Sequence, residues 1–167
     1  MSDILHLDHN QSVQKVKDMA ERADICFFTT ALTELPLSTR PMSTQKVEND
    51  GSLWFFSEKD SDKNQHIERD NRVQLFYSNK GSSEYLSLYG KAAIMQDAAK
   101  AKELWSPWVK TWFDGPDDPE LTLIKIVPEQ GYYWDTKDGK IVSMLKMAAG
   151  AITGKELDGS IEGKIRI

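Results

Sequence analysis

The sequence predicts a mainly β protein: about six antiparallel strands closing into a barrel or split barrel, with short helices at its periphery. Three observations carry this. Apolar and β-branched runs follow one another through short turns, mostly with no helix between them, which fits a parallel doubly wound sheet poorly. The long runs alternate with period two, as in Val73, Leu75, Tyr77 and again in Leu86, Leu88, Ala92, Ile94. Two of the runs hold an internal proline or glycine, Pro41 and Gly90, where a curving sheet places edges, bulges and bends.

Taken in order, residues 11–23 carry Val13, Val16, Ala20 and Ala23 at spacings of three and four, an amphipathic helix that Asn10 or Ser12 caps. ICFFTTAL, 25–32, is β-branched and aromatic and reads as a strand. LSTRPMSTQKV, 37–47, is the next; Pro41 cannot donate to a ladder, so this strand is an edge or carries a bulge. NDGS, 49–52, is a hairpin turn that returns the chain as SLWFFS, 52–57, so Arg40–Ser43 and Phe56–Ser57 are expected to lie side by side. A short helix follows over 61–70, with Ser61 as its cap and Asp62 in its first turn.

RVQLFYS, 72–78, and EYLSLYGKAAIM, 84–95, are strands flanking the turn NKGSS, the second interrupted by Gly90. Asp97 opens a helix through Trp105, and Ser106–Pro107 caps another through Trp112. FDGPDDP, 113–119, is a loop. Residues 121–135 form one strand or a strand pair, IVSML after the turn DGK is a further strand candidate, and GKIRI is a final edge strand.

The 167 residues form one expected domain, 1–167, with 1–10 as a flexible N-terminus and 148–167 as a tail. Its 40% hydrophobic and 28% charged residues are ordinary for a soluble globular chain. A formal net charge of −5 argues against nucleic acid as the main partner but leaves room for an anionic ligand held by a few local cations. Cys26 is the one cysteine and sits mid-strand among apolar residues, so it is read as buried and inert, and no intramolecular disulfide forms. With no basic-then-apolar start and no apolar run near membrane-spanning length, a cytoplasmic protein with no membrane partner is expected. His6 and His9 have helical metal-ligand spacing but no third ligand, Asp117, Asp118 and Glu120 lack calcium-loop order, and no nucleophile elbow is present, so no metal site or catalytic triad is predicted.

The chemistry concentrates in WFFSEKDSDK, 54–63, where an apolar strand gives way to Ser57, Ser61 and Lys63. A phosphate needs positive charge, hydroxyl donors and free backbone N–H groups, and a helix start supplies the last with a favourable dipole. The plainer reading makes Ser61 a cap and Lys63 a solvated lysine; His66 one turn on could help hold an anion or be a surface histidine. Arg40, in a proline-interrupted edge strand expected next to WFFS, adds the cation and the edge that can hold a flat, polar-rimmed heterocycle.

RPMS at 40–43, LWFFS with S-x-x-x-S-x-K from Ser57 to Lys63, the helix pair with Trp105, and VPEQGYYWD at 127–135 resemble, in order and spacing, the pyridoxamine 5′-phosphate oxidase-like flavoproteins and among them the general stress protein 26 group. The resemblance runs from about residue 11 to 147. It implies an FMN-binding split β-barrel, with FAD as the alternative cofactor, and a homodimer with flavin sites between protomers. Carried onto this chain, Arg40, Pro41, Met42 and Ser43 would line the isoalloxazine. Phe56 and Ser57 would contact ring and ribityl chain, and Ser61 and Lys63 would hold the phosphate. Trp105 and Trp134 would approach from the other subunit, against a plainer role for both in the core or dimer contact. Arg40 would also stabilise the negative charge of the reduced ring.

Vitamin-synthesising members of that superfamily carry an arginine- and histidine-rich stretch after the tryptophan. Here Trp134 is followed by DTKDGKIVSML, with neither residue, so pyridoxamine phosphate oxidase activity is not expected. Two functions remain from the sequence: a flavin-dependent oxidoreductase of unknown substrate, and a flavin carrier, sensor or sequestering protein without turnover. An interaction module with an incidental barrel is the third reading.

Overall fold

Two long strands form the spine of the computed structural model, which describes residues 3–136 and 160–167. β7 (Glu84–Met95) and β8 (Leu121–Thr136) run antiparallel from Tyr85 opposite Trp134 to Met95 opposite Leu123. Their register shifts at Tyr89/Gly90, the break the sequence places there. A Cβ on Gly90 would lie 2.4 Å from the Val127 carbonyl oxygen, so only glycine lets β8 cross this closely.

The sheet holds nine strands among the described residues, against the six expected. Its path runs β1 (Asp3–Ile4), β9 (Ser160–Arg166), β8, β7, β6 (Arg72–Asn79), β2 (Ile25–Thr30), β3 (Ser38–Ser43), while β4 (Lys46–Val47) and β5 (Leu53–Glu58) branch from β8. β8 changes partner on its free side: Leu121–Ile126 pair with β5, and Gln130–Thr136 with β9. This exchange splits the curled sheet into two halves, the mainly β split-barrel architecture predicted from the strand order. Residues 121–136 are accordingly one continuous strand.

Three local expectations are corrected. The run 37–47 is two strands, because the amide of Thr44 bonds to Asp24 O (2.9 Å) while that of Gln45 bonds to Trp54 O (2.8 Å), so the chain leaves one half of the sheet for the other at this step. The NDGS turn therefore joins β4 to β5, with Lys46 opposite Trp54. β3 instead pairs with β2, Arg40 opposite Phe28, as an edge strand that tolerates Pro41. Arg40–Ser43 and Phe56–Ser57 are thus not hairpin neighbours. Second, GKIRI is not an edge: β9 lies between β8 and β1, which pairs with it in parallel. Third, the expected flexible N-terminus is tied to the sheet from residue 3, where Asp3 and Ile4 pair with Ile161 and Glu162 and the Leu5 amide bonds to Glu162 O. Gly163 permits that crossing, since a Cβ there would stand 2.3 Å from Leu5 O. The IVSML strand candidate and most of the tail lie outside the described residues.

Helix α1 (His9–Ala23) starts earlier than predicted. Asp8, not Asn10 or Ser12, is its cap: Asp8 accepts from the Gln11 amide at 2.8 Å while Gln11 Oε1 accepts from the Asp8 amide at 3.0 Å, a reciprocal capping box. Helices α2 (Asp62–Arg69) and α3 (Ala98–Leu104) and a 3-10 turn (Pro107–Thr111) lie where expected.

The main core packs α1 and α2 against the concave sheet, with Phe28 and Phe55 edge to face at 5.3 Å. Cys26 is buried there, and burial pushes its thiol up to about 12, which makes it inert. A second cluster, under α3 and the 3-10 turn, gathers Trp54, Leu104, Val109, Phe113 and Leu123 with Phe56 and Trp105 at its margin. Among the described residues no helix is long and apolar enough to cross a membrane.

Candidate flavin-phosphate site

The S-x-x-x-S-x-K segment turns from the end of β5 into α2. Ser57 points into the barrel and is buried, whereas Phe56, one residue earlier, points to the opposite side and packs edge-on against Trp105 at 6.1 Å. The turn is held by Asn64, which local sequence reading missed. Ser57 Oγ donates to Asn64 Oδ1 (2.7 Å), Asn64 Nδ2 donates to Lys59 O (3.2 Å) and Thr122 Oγ1 (2.9 Å), and Thr122 Oγ1 donates to Ser57 O (2.8 Å). The loop is thereby fastened to β8 through a partner far away in sequence, which leaves no local spacing signal. A buried amide network fully satisfied in this way is rigid.

Ser61 stands at the cap position of α2, but its hydroxyl makes no capping bond and lies 3.3 Å from Ser57 Oγ. Lys63 follows in the first turn. Burial first, and then the nearby positive charge of Arg40, hold Lys63 below the ordinary ammonium range; Glu58 and Asp62 act weakly the other way. Arg40 is itself lowered by burial, partly offset by Asp62. Two half-buried cations from separate elements therefore feel one another's charge at the start of a helix. Among the described residues neither forms a salt bridge. Like charges brought close cost free energy that Glu58 and Asp62 offset only in part and that a bound anion offsets further.

Arg40 is aimed by three acceptors: Phe28 O (3.2 Å), Thr30 Oγ1 (2.8 Å) and Ser38 Oγ (2.5 Å). This ties its guanidinium to the Lys63 side of β3. Alternation along β3 places Met42 on that same inward side, packed on the main core, while Pro41 and Ser43 are exposed on the outward side, Ser43 donating to Asp24 at 2.7 Å. Ser57 and Ser61 thus stand together at the start of α2, with Lys63 in its first turn and the charge of Arg40 felt there. Phe56 and Trp105 meet in the second cluster, and Trp134 lies on the outer sheet face against Tyr132 at 4.8 Å.

The family model described as pyridoxamine 5′-phosphate oxidase like matches residues 11–158. The chain belongs to this family. Within it, this pyridoxamine 5′-phosphate oxidase-like chain is 34% identical over 81 residues to General stress protein 26 of Bacillus subtilis, covering 47% of the chain and 58% of the relative. It is 25% identical over 129 residues to Protein bli-3 of Neurospora crassa, covering 71% and 62%. The matched stretches thus span about three-fifths of the length of these curated relatives. The crystal structure of the general stress FMN/FAD binding protein from Xanthomonas citri superposes with a TM-score of 0.64 at 23% identity, over 87% of this chain and 95% of that one, which bears out the split-barrel fold.

Proposed function

We propose that this chain binds FMN, seating the phosphate between Lys63, Ser61 and Arg40 and laying the ring toward the β3 edge. The observation that carries the reading is a pair of half-buried cations, Arg40 and Lys63, that form no salt bridge among the described residues, beside the Ser61 hydroxyl left unused as a cap at the start of α2. A phosphate supplies the charge this arrangement lacks, and a helix start adds N–H donors. The FMN/FAD-binding description of the Xanthomonas citri neighbour supports the same ligand class. Bound flavin supplies reversible two-electron chemistry; the chain's residues hold its phosphate and exclude water from that end. Fluorescence titration of the chain should quench FMN far more strongly than riboflavin. Equal binding of both, or of neither, sinks the assignment.

Turnover is a further step. As an oxidoreductase the chain would bleach its flavin band on addition of NADH or NADPH. As a carrier, sensor or sequestering protein it would hold the same flavin without turnover. An unchanged spectrum under anaerobic NADPH selects the carrier.

We further propose a homodimer with the outer sheet face as its contact, in keeping with flavin sites between protomers. Paired strands align Phe27, Phe76, Ser87 and Tyr132 in one row and Tyr85 with Trp134 in the next. Phe27 (57%), Phe76 (43%) and Trp134 (42%) are too exposed for a solitary chain to leave uncovered without reason. Trp134 on this face would be offered to a flavin of the partner protomer across such a contact. Phe27→Glu is expected to halve the mass seen by light scattering and to weaken FMN binding about tenfold or more. A Phe27→Glu chain of unchanged mass would remove this face from consideration.

A further inference from the structure

Lys63 and Arg40 sit on different elements, so their separation must be set by whatever joins α2 to the β2–β3 ribbon. Asn64 ties α2 to β5 and β8. Among the described residues the side-chain hydrogen bond from α2 to β2 is made by His66, whose Nδ1 lies 2.9 Å from Thr30 Oγ1. Thr30 Oγ1 also takes a hydrogen from Arg40 Nη1 at 2.8 Å. Arg40 can only donate, so the Thr30 hydroxyl accepts from it and keeps both a hydrogen and a second lone pair for His66 Nδ1. His66–Thr30–Arg40 is therefore a continuous hydrogen-bonded bridge, and Thr30 is fully buried within it. His66 lies three residues after Lys63, on the same face of α2.

We infer that His66 is a positioning residue of the phosphate seat: through Thr30 it aims Arg40 and fixes its distance from Lys63, which fits the site to a phosphate-bearing flavin over a bare one. This rests on the FMN reading above. The bridge acts on the phosphate end alone, so its loss should appear in the ratio of riboflavin to FMN dissociation constants, not in flavin binding at large. Sequence reading weighed His66 as a direct anion contact or a surface residue; its partner at the end of β2 adds a third role.

The test measures that ratio for the full chain by fluorescence titration, with thermal unfolding as a check on folding. His66→Phe and Thr30→Val remove the bridge at near-constant shape and should lower the FMN preference about fivefold to tenfold, the range of one hydrogen bond. His66→Asn, which can offer Oδ1 where Nδ1 stood, and Thr30→Ser should keep the ratio within about twofold of the parent. On an Arg40→Ala background, which leaves no guanidinium to aim, His66→Phe should change the ratio no further. If His66→Phe fails to fold, the Thr30→Val and Thr30→Ser pair decides alone. An unchanged ratio in Thr30→Val overturns the inference, as does an equal loss for FMN and riboflavin, or a His66→Asn as poor as His66→Phe. A parent chain that shows no FMN preference overturns the flavin reading and this inference together. One that prefers FMN while all four variants match it overturns the inference only.

Discussion

Lys63→Ala should weaken FMN by about 1.5–3 kcal/mol, roughly tenfold to a hundredfold, while leaving riboflavin within about twofold. The discrimination is the point of the prediction. A lysine that merely supported the fold would lower both affinities together, whereas one that meets the phosphate is silent toward a flavin lacking it. Ser61→Ala added to it should deepen the FMN loss without touching riboflavin, because the Ser61 hydroxyl makes no capping bond whose loss would fray α2. The pH dependence has a definite sign. Burial, then Arg40's charge, lower the Lys63 pKa in the free chain. Phosphate binding favours the protonated form, so FMN affinity should be full below that lowered pKa and fall as pH rises through it. The Lys63→Ala chain should lack this alkaline decline. Isothermal titration at several pH values with both flavins measures all of this; a riboflavin affinity that falls in parallel would assign Lys63 to the fold.

The second large effect concerns stability. Lys15, on the buried face of α1, forms an ion pair with Asp135 near the end of β8, with side chains only 3% and 2% exposed. The Lys15 ammonium also lies over the Tyr133 ring, 4.7 Å from its centre. Lys15→Met would leave the Asp135 carboxylate buried without its counter-charge and is expected to cost about 3–5 kcal/mol. Lys15→Met with Asp135→Leu should recover most of that loss, because desolvating the pair costs nearly as much as its attraction returns. Urea melts of the two variants test it. A single variant within about 1 kcal/mol of the parent would mean that water reaches the pair.

What could be read from the sequence was local. Period-two alternation gave β6 and β7 almost to the residue, Gly90 marked the bulge, and Pro41 marked an edge. What could not be read was partnership at long range. Nothing in 37–47 reveals that Thr44 and Gln45 bond to opposite halves of the sheet, so the neighbour assigned to Arg40 was wrong even though the charge of Arg40 does reach Lys63 by another route. The N-terminal residues look solvated until β9 supplies a strand for them. Lys15 breaks the apolar stripe of α1, and only Asp135, 120 residues away, explains it. In the site, the residues with charge or hydroxyls stood out from their types alone. Asn64, Thr122 and Thr30, which orient them, did not, because each acts through a partner on another strand.

A crystal structure of the chain grown with FMN would show whether Arg40 and Lys63 form one seat for a flavin phosphate. The phosphate should contact both the Lys63 ammonium and the Arg40 guanidinium at the start of α2. FMN bound with its phosphate elsewhere, touching neither side chain, would overturn the assignment.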